Sequence, residues 1–220
     1  SDVSWSFKTK AASSISGTEI SAGHNGTEDF YSVQGALNYV RKNGSAGNSY
    51  KINVSEGCYY ERLFYNGAAD ITISGDSSDS ENARGAKTRF YWNNFEGLIS
   101  GQNGARSRAA FFFNGSANVN LRYLTMQNVA DRSTDVKSGN AQAEALSADI
   151  SGNLTAYQCS FASHQDTLYI GAKGNRSWFY DCYIEGDTDY IWGYGDVVLV
   201  EKCDLRCIRD TYVDKQKSYI

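Results

Sequence analysis

Three aspartates, Asp166, Asp189 and Asp210, recur along the chain, each seven residues beyond a cysteine: 166 − 159 = 7, 189 − 182 = 7 and 210 − 203 = 7. A carboxylate can attack an acyl carbon, and a second, protonated carboxyl can serve as general acid toward the departing group. Two carboxyls sharing one site divide these roles between them. At about 5 Å and an effective dielectric of about 20 they repel by about 3 kcal/mol, so one keeps its proton while the other is ionised. The pair Asp166 and Asp189 therefore suits acyl transfer from an ester. Spacing alone leaves a second reading open, in which these aspartates only cap backbone amides in repeated turns. Asp210 has no chemical role assigned to it and is read as structural.

For distant aspartates to meet, the chain must bring equal positions of successive repeats together. Cys159, Cys182 and Cys203 are separated by 182 − 159 = 23 and 203 − 182 = 21 residues. Each is followed two positions later by a large apolar residue, Phe161, Ile184 and Leu205, which places both on one face of a strand. Leu124 and Met126 fit the same frame one turn earlier. A second strand follows each aspartate, in Leu168-Tyr169, Ile191-Trp192 and Tyr212-Val213, so the repeat reads as two strands per period. A period of 21–23 residues carrying strands predicts an all-β fold, a right-handed parallel β-helix in which coils about 4.8 Å apart stack equal positions into ladders. Tyr50 to Val54 and Ile71 to Gly75 read as further strands. One segment differs: from Asp29 to Asn43, Val33, Ala36, Leu37 and Val40 recur at helical spacing, with Thr27 or Asp29 as the start cap and Gly44 as the stop. This N-terminal helix is expected to cover the open end of the stack.

Composition agrees with many short strands in one domain spanning residues 1–220: 16 Tyr, 21 Gly and no Pro, with apolar runs broken by Gly, Asn, Asp and Ser. The net charge of −4 and the absence of any Lys/Arg run argue against nucleic acid or an anionic membrane as partner. No apolar stretch is long enough to span a bilayer, and the amino terminus lacks an export signal, so the chain is either cytosolic or exported with its signal removed. Five cysteines leave at least one unpaired, and those in the stacked ladder are expected to stay free thiols, because in-register parallel strands do not offer disulfide geometry. Only Cys203 and Cys207 are closely spaced and no His is near them, so no metal and no cofactor is expected.

The motifs around the aspartates resemble those of the pectin methylesterases. Gly57-Cys58-Tyr59-Tyr60-Glu61 looks like that family's Gly-x-Tyr-x-Glu. Gln142-Ala143-Glu144-Ala145-Leu146 is similar to its Gln-Ala-Val-Ala-Leu, and Gln165-Asp166-Thr167-Leu168-Tyr169 reproduces its Gln-Asp-Thr-Leu-Tyr. Gly186-Asp187-Thr188-Asp189-Tyr190-Ile191-Trp192-Gly193 is similar to its Gly-x-Val-Asp-Phe-Ile-Phe-Gly. The resemblance covers about Asp29 to Gly195 and implies the same β-helix. It also implies removal of methyl esters from pectin, with Asp189 as nucleophile and Asp166 as the acid that protonates methanol and then activates water. Gln142 and Gln165 are the implied oxyanion donors, Tyr169 and Trp192 the implied sugar contacts, and a secreted or periplasmic location follows.

The chain departs from the family at several points. Glu144 stands where an apolar residue is usual, Thr188 where an aliphatic one is, and Trp192 is larger than the usual Phe. The family's later Leu-Gly-Arg-Pro-Trp, whose Arg orients the nucleophile, is absent. Arg206 or Arg209 is the candidate substitute. The chain therefore reads as C-terminally incomplete, with little esterase activity expected unless a longer chain or a second chain supplies the missing coils. Three rivals remain. A β-helix that binds cell-wall polysaccharide without hydrolysis is favoured by the missing Arg and disfavoured by the retained aspartates and glutamines. A polysaccharide lyase or glycosidase on the same fold is another, and a lyase would need a Ca²⁺-binding acidic cluster beside a basic residue. A serine esterase lacks its Gly-x-Ser-x-Gly and a His partner. His164, two residues before Asp166, is close enough to influence the site.

Overall fold

The computed structural model describes residues 15–77, 86–98, 105–131, 142–171 and 174–208. The chain opens with strand β1 (Glu19–Ala22) and helix α1 (Val33–Asn43), and the first full coil is β2 (Ser49–Val54), β3 (Gly57–Tyr59) and β4 (Leu63–Tyr65). The second coil is β5 (Asp70–Ser74), β6 (Thr88–Trp92), the short helix α2 (Ala105–Arg108) and β7 (Phe111–Gly115). The third is β8 (Val119–Arg122), β9 (Leu124–Asn128) and β10 (Leu146–Ile150), and the fourth is β11 (Leu154–Tyr157), β12 (Ser160–Ala162) and β13 (Leu168–Ile170). β14 (Arg176–Tyr180), β15 (Tyr183–Gly186) and β16 (Ile191–Gly193) make the fifth, followed by β17 (Val197–Glu201) and β18 (Asp204–Cys207).

Every third strand pairs in parallel with its counterpart one coil away, giving three sheets: β1-β2-β5-β8-β11-β14-β17, β3-β6-β9-β12-β15-β18 and β4-β7-β10-β13-β16. This is the right-handed parallel β-helix expected from the period. Each coil carries three strands rather than two. The additional one is the apolar lead-in before each cysteine, Leu154–Tyr157, Arg176–Tyr180 and Val197–Glu201. Its side chains alternate inward and outward like those of the other two, so the third sheet closes the coil around one core.

The ladders fall in the expected register. Met126, Phe161, Ile184 and Leu205 align across β9, β12, β15 and β18, and the same alignment stacks Leu124, Cys159, Cys182 and Cys203 two residues earlier. Leu124, Met126, Cys159, Phe161, Cys182 and Ile184 are buried. The last rung differs: Leu205 is 42 % exposed and Cys203 is half-buried. Val197, Val198 and Leu199 of β17 are exposed as well, because no strand among the described residues lies beyond β17 and β18. All five cysteines are free thiols.

The coil turns tightly at one repeated position. Tyr123, Gln158, Asp181 and Lys202, each just before the Leu124 and cysteine rung, have φ of 56°, 51°, 52° and 53°. A single left-handed residue reverses the backbone direction sharply, at about 1 kcal/mol for a side chain other than glycine. Their neighbours Tyr157 and Tyr180 stack with ring centroids 5.5 Å apart, and Arg122 and Lys202 lie over these rings.

Helix α1 begins later than its periodicity suggests. Ser32, not Thr27 or Asp29, is the cap, accepting from the Gly35 N–H at 3.1 Å. Asp29 instead accepts from the Ser21 amide and hydroxyl at 2.9 and 2.8 Å, which ties the preceding loop to β1. Glu61 of the Gly-x-Tyr-x-Glu motif accepts from the Val33 and Gln34 N–H groups at 3.3 and 3.0 Å, placing a negative charge at the positive end of the helix. Val33, Ala36, Leu37 and Val40 face inward, and α1 lies against β4, the first strand of its sheet, so that it covers the end of the stack.

Candidate active site

β10, β13 and β16 run side by side with Leu146, Leu168 and Ile191 in register. The residues just before these strands therefore line up along one edge: Gln142, then Gln165 and Asp166, then Asp189. Gln142 and Gln165 form an isolated parallel bridge, the Asp166 N–H donates to Thr188 O at 2.9 Å, and the Leu168 N–H donates to Tyr190 O at 2.9 Å. Asp166 and Asp189 thus occupy equal positions on adjacent coils, as their spacing predicts. Both have left-handed backbones, φ 67° and 48°, which aspartate tolerates better than most residues. The glycine opening the Asp189 motif is required by space, since a Cβ on Gly186 would lie 2.3 Å from Tyr190 Cβ and 2.5 Å from Thr167 Oγ1.

Between Gln142 and Leu146 the chain takes 146 − 142 = 4 steps, but between Gln165 and Leu168 only 168 − 165 = 3. The extra residue makes a bulge, in which the N–H groups of Ala145 and Leu146 both donate to Thr167 O, at 2.9 and 3.1 Å. At this bulge Glu144 is fully buried. Its partner is Arg108 at the end of α2, whose Nε donates to both Glu144 carboxylate oxygens at 2.9 Å. Arg108 Nη1 donates to Glu96 Oε2 at 2.7 Å, and Nη2 to Asp166 Oδ2 at 2.7 Å. Burial pushes the Glu144 carboxyl up to about 8 against the opposing pull of Arg108, and the nearby Asp166 adds to the rise.

The two aspartates are unequally placed. Asp166 is 5 % exposed, whereas Asp189 is exposed. Among the described residues the Asp189 side chain has no hydrogen-bond or ion-pair partner. The arginine at the site is Arg108, on Asp166. Arg206 does not take up the role proposed for it on Asp189: it reaches Tyr183 Oη at 3.2 Å and Glu185 at 3.3 Å instead. Arg209 and Asp210 lie outside the described residues.

The side-chain amide of Gln142 makes no hydrogen bond among the described residues, and its Oε1 is buried. Tyr169 and Trp192 pair across β13 and β16, with ring centroids 4.5 Å apart and tilted by 50°. The Trp192 ring lies 5.8 Å from the Arg108 guanidinium carbon. His164 Nδ1 lies 3.3 Å from Asp187 Oδ2. Asp187 in turn accepts from the Thr188 N–H and so shapes the turn that carries Asp189.

Arg108 and Glu96 are absent from the sequence reading. A signal for them existed in Glu144: a carboxylate at a motif position that is otherwise apolar needs a buried cation. The arrangement as a whole offers an exposed carboxylate beside a cation-anchored carboxyl, with amides alongside and an aromatic pair on the same sheet.

A family model described as pectinesterase matches residues 19–220. Pectinesterase A of Emericella nidulans is 30 % identical over 203 residues, which is 90 % of this chain and 55 % of that protein. A probable pectinesterase A of Aspergillus niger is 32 % identical over 82 % of this chain and 50 % of its own length. The crystal structure of a pectin methylesterase from Aspergillus niger matches with a TM-score of 0.69 at 25 % identity, over 89 % of this chain and 59 % of that one. The pectin methylesterase PemA from Erwinia chrysanthemi shares the fold, with a TM-score of 0.69 at 22 % identity, over 92 % of this chain and 58 % of that one. The chain spans about half the length of the curated relatives it matches.

Proposed function

The chain belongs to the pectinesterase family, and from that premise we propose that it hydrolyses methyl esters of pectin by an Asp189 nucleophile and an Asp166 acid/base. The observation that carries the proposal is the equal register of Asp166 and Asp189 at the edge of one sheet, beside Gln142 and Gln165. An Asp189 carboxylate oxygen attacks the ester carbonyl, and the negative charge moves to the former carbonyl oxygen. Amide N–H groups of Gln142 and Gln165 donate to that oxyanion, and each preorganised donor of this kind contributes about 3 kcal/mol. The unengaged Gln142 amide is suited to the task. As the intermediate collapses, the bond to the methoxyl oxygen breaks and the Asp166 proton passes to it, releasing methanol and leaving an acyl anhydride on Asp189. Asp166, now a carboxylate, takes a proton from water. The hydroxide attacks the galacturonyl carbon of the anhydride, which restores the Asp189 carboxylate beside the reprotonated Asp166 and frees a galacturonic acid carboxyl, whose proton is lost to solvent.

Tyr169 and Trp192 serve as the sugar contacts, since their flat faces suit the apolar faces of a pyranose ring. The substrate polymer lies outside the cytoplasm of the cells that make it, so the protein acts in a secreted or periplasmic setting. No helix among the described residues is long and apolar enough to cross a membrane. Among the described residues nothing positions the Asp189 carboxylate, and a positioning contact on a nucleophile is worth on the order of 10²-fold in rate. The dependence of turnover on the two aspartates, rather than its speed, tests the reading. Methanol released from methylated pectin is measured for the parent, Asp189→Ala and Asp166→Ala. Release by the parent and none above background by either variant supports the reading, whereas undiminished release by Asp189→Ala removes it.

A further inference from the structure

Building on the esterase reading, we propose that Arg108 is a positioning residue of the reaction, one that fixes the Asp166 carboxyl so that Oδ1 alone carries and transfers the proton. Arg108 is 7 % exposed, and its guanidinium is anchored on three separate segments: Glu96 after β6, Glu144 before β10 and Asp166 before β13. Arg108 Nη2 also lies 2.8 Å from Glu144 Oε1. The Glu96 N–H donates to Gln142 O at 3.0 Å, so the segment that holds Arg108 Nη1 also holds the backbone of a proposed oxyanion donor. A planar fork tied at Nε, Nη1 and Nη2 has no rotamer left to sample, and what it grips is held in one orientation.

The consequence for Asp166 is chemical. A protonated carboxyl has one O–H, and its other oxygen remains an acceptor. Oδ2 already accepts from a cation at 2.7 Å, so a proton there would face a donor with nothing to accept it. The proton therefore sits on Oδ1. When that proton leaves with methanol, the new negative charge appears beside a guanidinium already in place, and no reorganisation is needed. In the second half of the reaction the same Oδ1 receives the proton from water.

The ionisable groups around Asp166 are Arg108, Glu144 and Glu96, together with Asp189 on the neighbouring turn and His164 two residues earlier. Burial raises the Glu144 carboxyl against the pull of Arg108, which lessens its competition with Asp166 for the guanidinium charge. Any guanidinium at this distance lowers the Asp166 titration, so the discriminating readout is kcat at unchanged KM, which an arginine serving only to hold the fold together would leave unmoved.

The test uses the 220-residue chain labelled with ¹³Cγ-aspartate, with the Asp166 resonance identified by its loss in Asp166→Asn. It is titrated in the parent, in Arg108→Lys and in the double variant Arg108→Met/Glu144→Leu, which removes the mutually paired buried groups together. In the double variant the Asp166 midpoint should rise by about one pH unit or more. Methanol-release kcat should fall about tenfold or more while KM stays within about threefold. Arg108→Lys keeps the charge and loses the fork, so its midpoint should stay near the parent's while kcat falls to an intermediate value. If the double variant does not fold, by circular dichroism, Arg108→Lys decides through the loss in kcat at unchanged KM. An unmoved midpoint in a folded double variant, or parental kcat in either variant, overturns the proposal. A parent that releases no methanol while the midpoint still moves removes the esterase reading instead, so the two failures are told apart.

Discussion

Arg108 Nη2 and Asp166 Oδ2 lie 2.7 Å apart although 58 residues separate them in sequence. The contact joins α2 of the second coil to the turn before β13 in the fourth, and it passes over the bulge where Glu144 is buried. One guanidinium thus links the Gln142 turn, the Asp166 turn and the Trp192 ring. Its absence would leave Glu144 as an isolated carboxyl in the core.

Stability should fall as pH rises from about 5 to about 8. Glu144 ionises near 4.5 in the unfolded chain but at about 8 when folded, so the folded state binds the extra proton across this window. A raised folded-state value gives stability that is fully present below the unfolded value and is lost as pH passes the folded one. The slope from one group is at most about 1.4 kcal/mol per pH unit. Urea unfolding at pH 5, 6.5 and 8 measures it, and Glu144→Gln should flatten it. Parent stability that climbs over that range would contradict the assignment.

The two aspartates of the proposed site should separate in their structural effects. Asp189 is exposed and without a partner among the described residues, so Asp189→Asn should change unfolding free energy by less than about 0.5 kcal/mol while removing activity about 10³-fold or more. Asp166→Asn should also remove activity, but Asp166 is buried against Arg108, so this variant should cost more stability than Asp189→Asn, about 1 kcal/mol or more. Equal thermal stability of the two variants would count against the Arg108 contact.

Thiol reactivity should follow the ladder. Burial pushes Cys159 up to about 12, and Cys182 is raised as well, chiefly through its hydrogen bond with Cys203. That same bond lowers Cys203, which is also half-buried rather than sealed. Iodoacetamide at pH 7.5 should therefore label Cys203 along with the exposed Cys58 and Cys207, and should reach Cys159 and Cys182 only on unfolding. Peptide mapping that finds Cys159 modified in the native protein would refute the inward ladder.

Glu61 should matter to the fold and not to the chemistry. It bonds the first amides of α1 alongside the Ser32 cap. Glu61→Ala should lower stability by about 1 kcal/mol, from the lost cap and the lost charge at the helix start. KM and kcat of the folded fraction should not move; a selective loss of kcat would show that the motif reaches the site.

Much of this was legible in the sequence, because a coil that rests on its neighbour must repeat. The spacing of Cys159, Cys182 and Cys203 carries the period, and the residues two positions on carry the inward face. The seven-residue step to Asp166 and Asp189 carries their alignment, and the motif resemblance assigns them chemistry. The third strand per coil was harder to see, since its outward Trp178 and Tyr180 sit among inward residues too varied to form a visible repeat. The helix start was misplaced because Ser32 and Asp29 are both acceptable caps, and only the bond from Asp29 to Ser21 decides between them. Arg108 was out of reach altogether. It belongs to no repeat, and its partners come from three segments whose approach depends on a bulge of one residue at Glu144. Repetition along the chain determined which backbone positions stack. Which side chains meet across the stack, and hence which charge faces Asp166, was decided only by tertiary packing, because electrostatic contacts depend on distance through space and leave no period in the sequence.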